Sequence, residues 1–139
     1  METDRSRNHS LRKAVIDTNV LMYIFTERVD VFSQLRELGY RRFVFPVQII
    51  EELRRLSLTL DGNDRRAAIF ALNLVDRCSD CEIFDLRSEG SDNAILKLAE
   101  MENAVIITND KNLRRRAKER GIAVGYLREM KYVEIEEDY

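Results

Sequence analysis

AVIDTNVLM, residues 14–22, is the stretch of sequence that decides the fold. The apolar run at 14–16 predicts a buried strand, and the apolar run at 20–25 predicts the start of a buried helix. Asp17 lies at the junction, so its carboxylate follows the C-terminal end of the strand. In open parallel sheets the ligand crevice lies outside such strand ends. The question is whether the rest of the chain brings other acidic residues to this place.

Strand patterns and helix patterns alternate along the rest of the sequence. Strands are predicted at 42–45, 82–86, 104–108 and 122–127, with an added edge strand at 132–136. Helices are predicted at 30–38, at 47–58, in a segment ending near 78, at 91–103 with Ser91 as its cap, and from 110 to a stop at Gly121. Alternation of this kind implies crossover connections and parallel strands. The predicted fold class is α/β, a three-layer α/β/α architecture with a central parallel sheet of about five strands.

Length and composition indicate one intracellular domain. We expect a loose polar leader at 1–12 and a single domain at 13–139. No apolar run approaches the roughly 18 residues that a membrane-spanning helix needs. The net charge of −2 gives no global basic field. Cys78 and Cys81 are expected to be reduced thiols in the cytoplasm, and Cys78 is expected to be a small core residue rather than a zinc ligand.

Two acidic residues follow predicted strands. Asp17 ends the first strand, and Asp110 comes two residues after the apolar strand at 104–108 and begins the next helix. If both strands are central and parallel, the two carboxylates emerge at the same edge of the sheet.

Helical geometry separates Glu52 from its neighbour Glu51. At 100° per residue, Glu52 lies on the margin of the apolar face that contains Ile49 and Leu56, whereas Glu51 projects away from it. Glu52 is therefore the acid expected to point inward, and Glu51 is expected to be a surface residue.

Asp92 shares the apolar face of its helix with Ile95 and Ala99. An alternative for both Asp92 and Asp110 is N-terminal capping, in which a carboxylate meets the helix dipole. Capping gives no reason for Asp17 or Glu52, so a shared site explains the four acids better than four separate roles do.

A cluster of carboxylates requires protons or a cation. Two carboxylates about 5 Å apart repel each other by roughly 3 kcal/mol even at an effective dielectric constant near 20. Oxygen ligands without cysteine or histidine select Mg²⁺ or Mn²⁺ over Zn²⁺. Carboxylate-bound cations of this kind are used to hydrolyse phosphodiester bonds.

Four motifs resemble the PIN-domain family in order and spacing: D-T-N at 17–19, P-x-x-x-x-x-E-L ending at Leu53, S-D-N-A-I-L-x-L-A from Ser91, and T-N-D-x-x-L from Thr108. The resemblance implies a metal-dependent endoribonuclease. It assigns metal coordination to Asp17, Asp92 and Asp110, and a role as ligand or water-positioning base to Glu52. Asn19 and Thr108 would orient the metal-binding acids, although Thr108 is equally well explained as an ordinary strand residue.

The sequence from Thr108 onward resembles archaeal PIN proteins of the ribosome-biogenesis branch, and the VapC-type toxin ribonucleases of toxin–antitoxin pairs share the same acids. The resemblance implies an RNA substrate, a homodimer formed by the early helices, and an antitoxin or a pre-ribosomal partner.

Six basic and two acidic residues lie between 110 and 120. This helix either presents a solvated charged face or follows a phosphate backbone. Because Asp110 opens the helix, its first turns border the predicted site. Arg114 is the leading candidate for nucleic-acid binding, followed by Lys111 and Arg115.

Two other functions are compatible with the sequence. A non-catalytic RNA-binding or assembly module would keep the fold and bind RNA without cleaving it. A phospho-receiver also clusters acids at strand ends and would use Asp85, but Asp17 has no acidic neighbour in sequence and no suitably placed lysine follows the strand at 122–127.

Overall fold

A computed structural model describes residues 12–87 and 89–136. The strands are β1 (Arg12–Ile16), β2 (Tyr40–Pro46), β3 (Cys81–Phe84), β4 (Val105–Ile107), β5 (Val124–Arg128) and β6 (Tyr132–Ile135). The helices are α1 (Thr18–Thr26), α2 (Val31–Glu37), α3 (Val47–Thr59), α4 (Gly62–Arg77), α5 (Ser91–Glu102) and α6 (Lys111–Glu119). The predicted alternation of strands and helices is confirmed.

The six described strands form one sheet in the order β3-β2-β1-β4-β5-β6. The first five are parallel, and β6 pairs with β5 in the antiparallel direction. The α/β class and the edge strand are thus confirmed, with six strands instead of about five. The chain moves outward from β1 to β3, then returns to β4 on the other side of β1. Right-handed crossovers place the helices before and after this reversal on opposite faces of the sheet.

The reversal makes β1 and β4 the centre of the core. Ala14, Val15 and Ile16 of β1 are fully buried, as are Ile106 and Ile107 of β4. Strands covered on both faces require such continuous apolar runs. Ile16 pairs with Ile107, so the residues that follow the two strands emerge side by side. The crevice outside this switch point is where ligands bind in open α/β sheets.

Helix ends differ from the prediction at α5. Gly90 occupies the N-cap position, and Ser91 is the first residue of the helix, so Ser91 is not the cap that we expected. The helix ends at Glu102, and the C-cap residue Asn103 adopts a left-handed conformation with φ of 54°. Asparagine tolerates this conformation better than most residues.

The cysteine prediction is wrong about the redox state. Cys78 and Cys81 form a disulfide that joins the end of α4 to the start of β3. A short turn between them brings their Cα atoms to 5.3 Å, which is within the range that a disulfide spans. Cys78 also packs against the core, as its position on the apolar face of the helix predicts. The cytoplasmic location, inferred in part from free thiols, stays a prediction.

The predicted leader lies outside the described residues except for Arg12, which is the first residue of β1. Within 12–87 and 89–136, the structure contains no helix with the length and apolar character needed to cross a membrane.

Leu53 and Leu58 allow a matched test of how α3 is held in place. Leu53 is fully buried, whereas the Leu58 side chain is 83% exposed. We expect Leu53→Ala to lower the free energy of unfolding by roughly 2–5 kcal/mol because it leaves a cavity. Leu58→Ala is expected to change it by less than about 0.5 kcal/mol. Urea unfolding followed by circular dichroism measures both, and equal losses would contradict this packing of α3.

Candidate active site at the carboxyl ends of the central strands

Asp17 lies between β1 and α1 and is held by three hydrogen bonds. Its backbone N–H donates to the carbonyl oxygen of Ile107 over 2.9 Å. Its Oδ1 accepts from the backbone N–H of Thr18 over 2.8 Å, so Asp17 caps α1. Our expectation that capping gives no reason for Asp17 is therefore wrong. Its Oδ2 accepts from Thr108 Oγ1 over 2.7 Å. The carboxylate is thereby fixed at the switch point of the sheet.

Thr108 is fully buried and follows β4 directly. Besides donating to Asp17, its hydroxyl oxygen accepts a hydrogen bond from the backbone N–H of Asp110 over 3.0 Å. A hydroxyl group offers one donor and two acceptor sites, so both bonds can form together. Thr108 therefore contacts the carboxylate of Asp17 and the backbone of Asp110. Its role in orienting metal-binding acids stays a prediction.

Asp110 caps α6. Its Oδ1 accepts hydrogen bonds from the backbone N–H groups of Asn112 and Leu113 over 2.9 and 3.3 Å. The capping alternative is therefore realised in the structure, and Asp110 is exposed. Because both bonds use Oδ1, capping does not occupy Oδ2.

Glu52 points toward Asp17 from α3. Its Oε1 accepts a hydrogen bond from Thr18 Oγ1 over 2.8 Å. Glu51 lies on the exposed face of the same helix and pairs with Arg87 over 2.8 Å. The predicted assignment of Glu52 inward and Glu51 outward is therefore confirmed.

Thr18 is a site residue that the sequence analysis missed. It is 4% exposed and supports two acids at once, through its backbone to Asp17 and through its hydroxyl to Glu52. The position of Thr18 next to Asp17 in the sequence was a usable signal, because a buried hydroxyl group needs a hydrogen-bond partner.

Asp92 lies in the first turn of α5. Gly90 is the N-cap of that helix, so Asp92 does not act as the cap. Its side chain is 45% exposed and lies 4.0 Å from the guanidinium of Arg116, measured from Oδ2 to Nη1. Asp92 is also close enough to Asp17 for its charge to act on the Asp17 carboxylate.

Electrostatics connects Asp17, Asp92 and Glu52. Burial raises the pKa of Asp17 above the usual value for aspartic acid, and the negative charges of Asp92 and Glu52 raise it further. Hydrogen bonds from Thr108 and Thr18 oppose the shift without cancelling it. Glu52 is thus linked to Asp17 through Thr18, and Asp92 is near enough for its charge to act on Asp17. Asp110 is linked to Asp17 through Thr108 and presents its carboxylate to α6.

This donor set fits a hard divalent cation. A positive charge beside Asp17 would offset both its burial and its acidic neighbours, and the carboxylate ligands suit Mg²⁺ or Mn²⁺. In the described part of the chain, no three potential ligands are grouped closely enough to hold one ion. Shared coordination therefore requires side-chain rotation by the exposed acids.

The orienting role expected for Asn19 is not seen. Asn19 is exposed and lines a pocket with Tyr23 and Leu56. The backbone N–H of Thr18 makes the contact to Asp17 instead.

The leading basic candidates lie together on α6. Lys111, Arg114 and Arg115 line one exposed pocket, and the Arg114 guanidinium stacks over the ring of Tyr126, 4.7 Å from its centroid. Arg116 is the α6 residue that lies beside Asp92. The role of Arg114 in nucleic-acid binding stays a prediction.

The central strands end at a switch point, where buried threonines hold the carboxylate of Asp17. This arrangement defines an α/β domain of the kind implied by the motifs. Residues 14–130 match the family described as PIN like domain. The chain belongs to this family. Membership of this family sets aside the phospho-receiver alternative. Asp85, the residue that this alternative would use, is exposed and pairs with Arg87.

Two archaeal relatives span nearly the same length. The chain is 46% identical to Ribonuclease VapC9 of Archaeoglobus fulgidus over 136 residues, which cover 98% of each chain. It is 34% identical to Ribonuclease VapC4 of Methanocaldococcus jannaschii over 128 residues, which cover 88% of this chain and 95% of that protein.

The fold is also similar to a solved structure, that of the PIN domain endonuclease Utp24. The TM-score is 0.72, and the match covers 89% of this chain and 90% of that one. At 19% identity, this likeness concerns the fold alone.

The raised pKa of Asp17 predicts a specific dependence of stability on pH. Because the folded state binds this proton more tightly than the unfolded state, stability falls as the pH rises through the interval between the unfolded and folded pKa values. We expect Asp17→Asn to raise the melting temperature of the metal-free protein at pH 7, and the gain to vanish at pH values below the unfolded pKa. Asp85→Asn, at an exposed carboxylate, is the control and should show little change at either pH. An Asp17→Asn variant with a lower melting temperature than the wild type at pH 7 would contradict the raised pKa of Asp17.

Proposed function

We propose that this chain is a divalent-cation-dependent endoribonuclease of the VapC type. The observation that carries the proposal is the position of Asp17 at the switch point, where Thr108 holds its carboxylate and Thr18 links it to Glu52. Two relatives of nearly equal length are named ribonucleases, which supports RNA as the substrate. The similarity to the endonuclease Utp24 supports the fold alone.

Asp17, Asp92 and Asp110 are the residues that would hold Mg²⁺ or Mn²⁺. When bound, such a cation offsets the charge of the phosphate and lowers the pKa of a water molecule. Asp17 is fixed by Thr108 and the Thr18 amide, so it provides a rigid anchor. Asp92 and Asp110 are more exposed, and the capping bonds of Asp110 leave its Oδ2 available to a cation.

Glu52 is the proposed acceptor of the proton from the attacking water. Thr18 donates to Oε1 and fixes the orientation of the carboxylate. The other oxygen, Oε2, lies 3.8 Å from Nη2 of Arg55, which is a long contact that leaves room for a water molecule. Geometry of this kind allows a carboxylate to orient water and receive its proton.

We further propose a cytoplasmic homodimer that is held in check by a cognate antitoxin. Ile69 and Phe70 of α4 are 40% and 39% exposed, and Phe70 stacks with Phe25 of α1. Exposed apolar clusters of this kind favour a protein partner. This surface adjoins the early helices, where the PIN resemblance puts the dimer contact.

Asp17→Asn tests the chemistry directly. We expect wild-type protein to cleave a structured RNA when Mn²⁺ or Mg²⁺ is present and to stop when the cation is chelated. Asp17→Asn should lose at least about a hundredfold in rate, because it removes the charge of the buried ligand. Gel electrophoresis of a labelled RNA measures this rate.

Asp85→Asn is the matched control and should cleave like the wild type. Equal residual activity in wild type and Asp17→Asn would identify a contaminating nuclease. Intact RNA affinity without turnover in any divalent cation would instead support a non-catalytic RNA-binding module.

Thr108→Val removes the hydroxyl that supports Asp17 while keeping a β-branched side chain of similar size. We expect cleavage to fall by about 10- to 100-fold, in line with the loss of a residue that orients a metal ligand. Thr108→Ser, which keeps the hydroxyl, should restore most of the activity. Titration of Mn²⁺ dependence separates the two variants, and equal activity in both would show that the hydroxyl has no orienting role.

A further inference from the structure

Two arginines border the acids from different elements. Arg55 of α3 has its Nη2 3.8 Å from Glu52 Oε2. Arg116 of α6 has its Nη1 4.0 Å from Asp92 Oδ2, and its Nη2 donates to Asn93 Oδ1 over 2.6 Å. Each arginine therefore lies beside a different acid of the candidate active site.

The contacts of these arginines with the acids are loose. Both distances are at the long end for an ion pair, and the Arg55 and Arg116 side chains are 62% and 31% exposed. Exposed pairs contribute little to stability, so exchanging a carboxylate for another anion costs little. Asn93 meanwhile holds the Arg116 guanidinium at the border of the site.

Other basic residues of α6 have partners elsewhere in the described structure. Arg115 pairs with Glu119 on its own helix, and Arg120 pairs with Glu100 toward the end of α5. Arg114 stacks on Tyr126. Arg116 is the α6 arginine whose described contacts, with Asp92 and Asn93, lie at the acids.

We propose that single-stranded RNA crosses the acids from Arg55 to Arg116, and that these two arginines bind phosphates on either side of the cleaved bond. The inference rests on the proposed ribonuclease function, and it adds the path and the anchoring residues of the substrate. Arginine suits this role because its planar guanidinium forms two parallel hydrogen bonds to a phosphate. The acids between them repel RNA, so a strand needs cations on both sides to approach.

The experiment measures RNA binding without cleavage, in full-length protein carrying Asp17→Asn. A 12-nucleotide single-stranded RNA with a fluorescent end label is titrated by anisotropy at several KCl concentrations. We expect added Arg55→Ala or Arg116→Ala to weaken binding by about tenfold near 0.1 M salt. Each should also lower the slope of log K against log salt by about 0.7, and the double variant by about 1.4.

Matched controls remove the same charge from α3 and from the residue that follows α6. Arg54→Ala lies beside Arg55 on the exposed side of α3, and Arg120→Ala lies just beyond the far end of α6. Both should leave the salt slope nearly unchanged. Arg55→Gln and Arg116→Gln repeat the test with side chains of similar length, and circular dichroism verifies that every variant is folded.

The outcomes separate this inference from the proposed function. Equal salt slopes for the site variants and the controls overturn the RNA path, even if wild-type protein cleaves RNA. Loss of slope for one arginine alone also overturns it, because the path needs both. Arginine-dependent binding by a wild-type protein that never cleaves RNA would support the path and contradict the ribonuclease. Absence of RNA binding by the Asp17→Asn protein would contradict both.

Discussion

A negative charge that is held partly out of water at the end of β1 is the constraint on which the site depends. Burial and two acidic neighbours make ionised Asp17 unfavourable, and two threonines reduce that cost without removing it. An isolated buried carboxylate would simply take up a proton. Hydrogen bonds from Thr18 and Thr108 hold this one in a single orientation, which suits the cation that we propose. The unfavourable ionisation of Asp17 is thus linked to the ribonuclease function that we propose.

The sheet topology places this charge. Because the chain reverses direction at β1, the ends of β1 and β4 are neighbours with no helix between them. Asp17 and Thr108 follow these strands directly and meet across the gap. α3 and α5 then bring Glu52 and Asp92 to the same opening. Acids separated by many residues in sequence come together because four elements end or begin at one edge of the sheet.

Much of this arrangement could be predicted from sequence, because it depends on periodicity. The apolar runs at 14–16 and 104–108 identified the central strands, and a helical projection separated Glu52 from Glu51. Rotation of α6 was harder to predict. Arg114 and Arg116 flank the buried stripe formed by Leu113 and Ala117 on opposite sides, and the sequence does not tell which flank faces α5. The disulfide likewise depends on a turn geometry that a lone C-x-x-C motif does not determine.

Binding of a divalent cation by the acids at the switch point is the central claim. Diffraction from crystals soaked in Mn²⁺, recorded where manganese scatters anomalously, tests it most directly. We predict an anomalous peak in contact with the carboxylates of Asp17 and Asp92, accompanied by rotation of at least one exposed acid. A peak located only elsewhere on the surface, or none at saturating Mn²⁺, would contradict the claim.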